Sequence, residues 1–207
     1  MSSILHLGAG KINPEDYAEN NDFLVFVDQS YDHDEESCQT ITEIESEFLL
    51  NLDDREIPSM YFCGEFIFNF LGSYKFKFDE IKADRVFEHF FYDNGDVGRL
   101  LDSCNQITND DGKLTIVVPD MTRIVKKFLQ FEEEYEIHSP TQANAAVLLI
   151  NTENHNTIAD AHGSTWSPAL ARFYIESEGG TWKIDSIEQD VFIKGRNIYM
   201  KIECSKP

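Results

Sequence analysis

The chain has 207 residues, 42% of them hydrophobic, and its 38 acidic side chains outnumber 17 basic ones for a formal net charge of −21. This length suits a single domain over residues 1–207, and the acidic excess disfavours nucleic acid, since phosphate binding needs Lys and Arg. No apolar run approaches the ~20 residues of a membrane span, and no secretory signal pattern is seen, so a cytoplasmic protein is expected.

The first predicted elements are two apolar strands with polar or glycine ends. Residues 3–8 run into Gly8-Ala9-Gly10, and residues 24–28 end in Asp28. In an open α/β sheet, such glycines let the backbone approach a nucleoside and the acid accepts hydrogen bonds from its ribose hydroxyls. Simpler explanations stay open, because Gly-x-Gly serves any tight turn and a strand-end Asp can cap a helix or stay solvated.

The remaining elements alternate between strands and helices. Strands are predicted at 60–63, 83–88 and 113–118, with a closing pair at 181–192 and 196–204. Helices are predicted from Asn13, over 35–50, over 95–106, around 124–129 and from Pro168 to about 178, and Asp110-Asp111-Gly112 is predicted to be a turn. Residues 136–165, rich in Asn, Thr, His and Ser, are predicted to form an insertion on the substrate side.

Six motifs in this order resemble those of the class I S-adenosylmethionine-dependent methyltransferases, in particular their small-molecule branch. They are Leu5 to Gly10; Asp28; Cys63-Gly64-Glu65-Phe66; Val86 to Phe90, similar to an "EHL" signature; Asp111 to Asp120, similar to "GG-x-L-x-I-x-VPD"; and His162 to Pro168 followed by Tyr174 to Gly180. The resemblance covers nearly the whole chain. It implies a Rossmann-like, mostly parallel α/β sheet of seven strands with an antiparallel C-terminal hairpin and helices on both faces.

The resemblance also implies a cofactor, S-adenosylmethionine, and a set of site residues. The methionine end of the cofactor would lie on the backbone of Gly8, Ala9 and Gly10, and the ribose on Asp28. The residues that would border adenine are Gln29, Gly64, Glu65 and Phe66. His89 and Glu88 are the catalytic candidates, and Asp120 and His162 the candidates for substrate binding.

Two positions depart from the family pattern. His6 stands where the family commonly has an acid, two residues before the first glycine, and Ile12 replaces the third glycine of Gly-x-Gly-x-Gly.

Each candidate also has a purely structural explanation. His89 can be a structural histidine, Glu88 can bond to the first turn, Asp120 can cap the following helix, and His162 can order the insertion. The run Asp32 to Glu36 offers metal-ligand types, but adjacent residues rarely converge on one ion, so no metal is expected. Phe87, Phe90, Phe91 and Tyr92 are predicted to pack in the core.

The sequence therefore predicts a methyltransferase whose acceptor is a small molecule, a sugar or a protein group. The main alternative is a non-catalytic acidic interaction module that keeps the fold and binds a basic protein. Aminopropyl transfer with a related cofactor is a third option that no pattern requires.

Overall fold

A computed structural model of the chain describes residues 2–8, 23–28, 59–63, 68, 71–72, 77–135, 164–177, 180–193 and 196–207. The helices predicted from Asn13 and over 35–50 and nearly all of the predicted insertion at 136–165 lie outside these described residues.

Seven strands of these described residues form one sheet in the order β3-β2-β1-β4-β5-β7-β6. Their bounds are Ser3–Leu7 (β1), Phe23–Asp28 (β2), Ser59–Cys63 (β3), Phe78–Asp84 (β4), Thr108–Pro119 (β5), Lys183–Ile193 (β6) and Arg196–Ser205 (β7). The strands β1 to β5 pair in parallel, and β7 pairs antiparallel with both β5 and β6. The predicted mixed α/β architecture is confirmed.

Within the described part of the chain, the helices whose two ends are both defined are α1 (Asp96–Gln106), α2 (Met121–Tyr135) and α3 (Pro168–Glu176). In α1 the buried residues Val97, Leu100, Leu101 and Cys104 follow the spacing of one helical face, as the sequence predicts. Ser167 caps α3, since its hydroxyl accepts a hydrogen bond from the Leu170 amide at 3.2 Å. No helix among the described residues is both long and apolar enough to span a membrane.

The two faces of the sheet differ in composition. On the first face, alternate residues of the central strands, such as Leu5, Val25, Ile81 and Leu114, form one core cluster with buried residues of α1 and α3. On the second face, Ile124 of α2 clusters with Tyr199 at one end of the sheet. The middle of that face is polar, because β4 presents its charged residues there; these are Glu80, Lys82 and Asp84, each about a third exposed or less.

The chain order within the sheet locates the position at which ligands bind in this architecture. From β1 the chain continues to β2 and β3 on one side, whereas β4 and β5 lie on the other side of β1. Strand order therefore reverses between β1 and β4, and open α/β sheets bind ligands outside the carboxyl ends of the strands at such a switch point.

Two predicted boundaries are wrong. The fourth strand is not 83–88: β4 ends at Asp84, because Arg85 adopts a left-handed backbone (φ 56°), and Phe87–His89 form a 3₁₀ turn. Its true extent was hidden by the charged residues that lie between Phe78, Ile81 and Ala83. The predicted turn at 110–112 lies instead within β5, where the register against β4 shifts, and a Cβ atom at Gly112 would lie 3.0 Å from the Asp79 carbonyl oxygen.

Candidate functional site

Gly8 occupies the switch point and has a backbone that favours glycine. Its φ is +71°, in the left-handed region, and it follows β1 directly. A Cβ atom at this position would lie 2.8 Å from the Asp84 carbonyl oxygen and closer still to Val86 Cγ2. The glycine is therefore required by the contact between the ends of β1 and β4, whether or not a ligand is bound.

Gly8 is also the direct neighbour of the second predicted ligand position. Its amide donates to the Val27 carbonyl oxygen at 2.9 Å, and Val27 immediately precedes Asp28. Asp28 is the last residue of β2 and lies in register with Cys63 of β3. The sheet thus brings Gly8 and the backbone of Asp28 together at one edge, as the sequence predicts.

The catalytic candidates follow the end of β4. The Arg85 amide donates to the Val117 carbonyl oxygen at 2.8 Å, and its side chain pairs with Asp84 at 3.3 Å. Glu88 is buried in the 3₁₀ turn, 2% exposed, while His89 is half-buried. Ser164 fastens this turn, since its amide donates to the Glu88 carbonyl oxygen at 3.0 Å. Glu88 and His89 therefore stand at the carboxyl edge of the sheet but outside a strand.

Asp120 is fully buried and acts as the cap of α2. Its Oδ1 accepts a hydrogen bond from the Thr122 amide at 2.9 Å, and its Oδ2 accepts one from Gln189 Nε2 at 2.6 Å. The Asp120 amide donates to the Ile198 carbonyl oxygen at 2.7 Å. Both carboxylate oxygens thus hold the chain's own structure, which is the structural explanation of this residue; its role in substrate binding stays a prediction.

His6 is a buried histidine on the second face of the sheet. It is 5% exposed, its ring lies 5.9 Å from that of Phe26, and it is in register with Lys82. Burial, with a smaller contribution from the positive charge of Lys82, lowers the pKa of His6 from 6.5 to about 4. At neutral pH the side chain is therefore uncharged, and the position carries neither the negative charge of an acid nor the positive charge of an imidazolium.

Several predicted site residues lie outside the described part of the chain. These are Ala9, Gly10, Gln29, Gly64, Glu65, Phe66 and His162, together with the side chain of Asp28 and the acidic run Asp32 to Glu36. Among the described residues, no group of three or more His, Cys, Asp or Glu side chains is arranged to hold a metal ion.

No protein-family model and no curated protein sequence matches the chain. Solved structures do match it. The Synechocystis PCC 6803 magnesium protoporphyrin IX methyltransferase with bound SAH aligns over 100% of this chain and 74% of its own, with a TM-score of 0.55 at 10% identity. The mitomycin 7-O-methyltransferase MmcR aligns over 100% and 49%, with a TM-score of 0.55 at 12% identity. The chain has the class I methyltransferase fold.

A third similar structure with this fold is the N-methyltransferase NodS from Bradyrhizobium japonicum WM9, which aligns over 100% of this chain and 86% of its own, with a TM-score of 0.53 at 10% identity. The acceptors named for the first two proteins differ, and all three identities are low. The likeness therefore extends to the methyltransferase fold alone, and it does not indicate an acceptor for this chain.

The predicted core packing of the aromatic run after β4 is correct for only half of its members. Phe87 and Phe90 are buried at 0% and 8% exposure, but Phe91 and Tyr92 are 51% and 40% exposed. The 3₁₀ turn and the turn that follows it carry the last two rings outward, and periodicity cannot detect such a change of direction.

Sequence reasoning also missed two residues that support the candidate site. Ser164 connects Trp166 to the 3₁₀ turn, and Gln189 binds the capping carboxylate of Asp120. Both contacts join residues that are far apart in sequence. For the contact of Ser164, the one indication in the sequence is the order of motifs, in which His162 to Pro168 follows β5.

Proposed function

We propose that the chain is an S-adenosylmethionine-dependent methyltransferase whose acceptor is a small molecule, a sugar or a protein group. The observation that carries this proposal is the turn at Gly8, which follows β1 at the switch point of a sheet with the class I methyltransferase fold. The carboxyl ends of β1, β2 and β4 meet there, where this architecture binds nucleosides.

The described residues fit the cofactor through their backbone. Gly8 brings a turn without a side chain to the edge of the sheet, next to the backbone of Asp28. A neutral His6 neither repels nor attracts a sulfonium, so binding depends on the remaining contacts. In this proposal the methionine end lies on the backbone of residues 8–10, Asp28 accepts hydrogen bonds from the ribose, and the adenine is bordered by Gln29, Gly64, Glu65 and Phe66.

The cofactor, when bound, supplies a methyl group made electrophilic by the positive sulfur. What the chain contributes is orientation and, for a protonated acceptor, removal of a proton. His89, half-buried after β4, is proposed to take that proton at a ring nitrogen. Glu88, buried in the same 3₁₀ turn, is proposed to act beside it, and Asp120 and His162 are proposed to border the acceptor.

Calorimetric titration with S-adenosylmethionine and with its demethylated product tests the proposal. We expect micromolar binding by the wild-type chain and binding at least about tenfold weaker for Asp28→Ala, because a hydrogen bond to a charged group is lost. Asp111→Ala, which removes an exposed acid of β5, is the matched control and leaves the affinity unchanged. No heat at millimolar ligand with a folded protein would contradict the proposal.

The second candidate is the non-catalytic acidic interaction module, and His6 is the observation that favours it. A buried neutral histidine beside Lys82 replaces the acid that the resemblance leads one to expect. Absent cofactor binding, together with tight association with a basic protein, is the result that separates this candidate from the enzyme. If the cofactor does bind, a screen for methylated products across metabolite pools identifies the acceptor.

A further inference from the structure

A group of aromatic side chains is exposed on the surface beside the 3₁₀ turn. Phe91, Tyr92 and Phe173 are 51%, 40% and 53% exposed, and Tyr174 is half-buried next to them. The Tyr92 ring lies 4.6 Å from that of Tyr174 and 5.8 Å from that of Phe173. We name Tyr92, Phe173 and Tyr174, whose rings contact one another, the aromatic patch. Contiguous exposed apolar surface of this kind marks interaction sites more often than single exposed rings do.

Tyr174, which contacts the other rings of the aromatic patch, packs on buried side chains. Tyr174 packs edge to face on Trp166 at 4.9 Å, and Trp166, only 1% exposed, packs in the same way on Phe87 at 5.9 Å. The Tyr174 hydroxyl donates to the Thr165 carbonyl oxygen at 3.2 Å. A surface that is already ordered loses little conformational entropy when a partner binds to it.

The electrostatic surroundings of the aromatic patch favour a cation. Asp93 directly follows Tyr92 and is exposed, and burial, with a smaller contribution from the negative charge of Asp93, raises the pKa of Tyr174. The cations on the adjacent helices are paired with acids, Arg99 with Asp96 at 3.2 Å and Arg172 with Glu176 at 3.6 Å. The chain as a whole carries a net charge of −21, which attracts basic partners at long range.

We propose that the aromatic patch docks a basic segment of a partner protein. Lys or Arg side chains of that segment lie over the faces of Tyr92 and Phe173, where the ring quadrupole attracts a cation, and one of them pairs with Asp93. This docking is independent of the proposed methyl transfer, because it uses surface residues and does not require the cofactor.

Fluorescence anisotropy with a labelled peptide of about twelve residues, in which Arg and Lys alternate with Gly, tests the docking at about 0.15 M salt. We expect the double variant Tyr92→Ala/Phe173→Ala, which leaves the net charge unchanged, to bind the peptide about tenfold more weakly than the wild type. Phe192→Ala is the matched control: it removes an aromatic ring that is 72% exposed on β6 and leaves the affinity within about twofold.

The charge component is tested with Asp93→Asn against Asp111→Asn, each of which removes one exposed acid. We expect weaker peptide binding only for Asp93→Asn. Circular dichroism and the single variant Phe173→Ala, at a half-exposed position, ensure that the comparison is made on folded protein.

Three results would overturn the proposal. Equal affinity of the folded double variant and the wild type would show that net charge alone attracts the peptide. Equal binding of a peptide with Gln in place of Arg and Lys would show that the patch takes an uncharged partner. A dimer in sedimentation that the double variant abolishes would show that a second copy of the chain covers the patch.

Discussion

Replacing His6 is predicted to remove a specific part of the pH dependence of stability. The pKa of His6 is lowered from 6.5 to about 4 in the folded chain, mainly by burial and secondarily by Lys82. The unfolded chain therefore binds a proton at a higher pH than the folded chain does. The stability contributed by neutral His6 is complete above the unfolded pKa, and it is lost as the pH falls from 6.5 towards 4.

The size of this effect follows from the two pKa values. Linkage gives a loss of about 1 kcal/mol in the free energy of unfolding between about pH 7 and about pH 5.5, and about 3 kcal/mol by about pH 4. Urea unfolding of the wild type and of His6→Leu measures this loss. The range between about pH 7 and about pH 5.5 is preferable, because it stays clear of the isoelectric point near 4.5. Leu suits the site, which also holds Leu24 and Phe26.

The carboxylates that share this face, Glu80 and Asp84, are present in both proteins, so the difference between wild type and variant isolates His6. We expect the free energy of unfolding of the wild type, relative to that of His6→Leu, to fall by about 1 kcal/mol between about pH 7 and about pH 5.5. A difference that stays constant with pH would refute the reasoning, because it would mean that His6 keeps an ordinary pKa in the fold.

Three further predictions concern residues that hold the edge of the sheet. Gly8→Ala is expected to lower the free energy of unfolding, measured in urea, by about 3 kcal/mol, because of left-handed strain and overlap with the end of β4. The control Gly98→Ala, on the open surface of α1, is expected to raise that free energy by up to about 1 kcal/mol. Equal effects of the two substitutions would contradict this account of Gly8. Asp120→Ala is expected to cost about 2 kcal/mol in thermal unfolding, and Asp120→Asn clearly less because Asn also caps helices; an unchanged melting temperature for the Ala variant would rule out the capping role. Ser164→Ala leaves the Trp166 indole N–H without its acceptor, so we expect a loss of about 1 to 2 kcal/mol and a shifted Trp fluorescence maximum, whereas wild-type fluorescence and stability would argue against this contact.

The parts of the fold that the sequence predicts are those with a local signal. Residues 3–8 and 24–28 are continuous apolar runs, as expected for strands buried on both faces, and they appear as β1 and β2. The helix over 95–106 and the cap at Ser167 are likewise found where helical spacing and capping chemistry place them.

The features that were missed depend on tertiary context. β4 carries a charged face because the middle of the second face stays partly exposed, so its residues do not resemble a buried parallel strand. The left-handed Arg85 that ends β4 has no sequence signal, since Gly or Asn is the usual residue there. The contacts of Ser164 and Gln189 join segments far apart in the chain, and local pattern carries no information about them.

For the candidate site, the sequence predicts that Gly8 and the end of β2 lie side by side, because parallel strands share one carboxyl edge, and the structure has them there. It could not decide between the structural and the ligand explanation of Gly8. The structure adds that the glycine is needed by β4 in any case. Cofactor binding therefore has to be measured directly.

Amide hydrogen exchange with and without saturating S-adenosylhomocysteine tests the central claim most directly, because it reports where the ligand lies. The account predicts slower exchange in peptides that contain residues 8–10 and 28–29 and in the 3₁₀ turn after β4, with no change in the hairpin of β6 and β7. Unchanged exchange at residues 8–10, or protection confined to that hairpin, would contradict it.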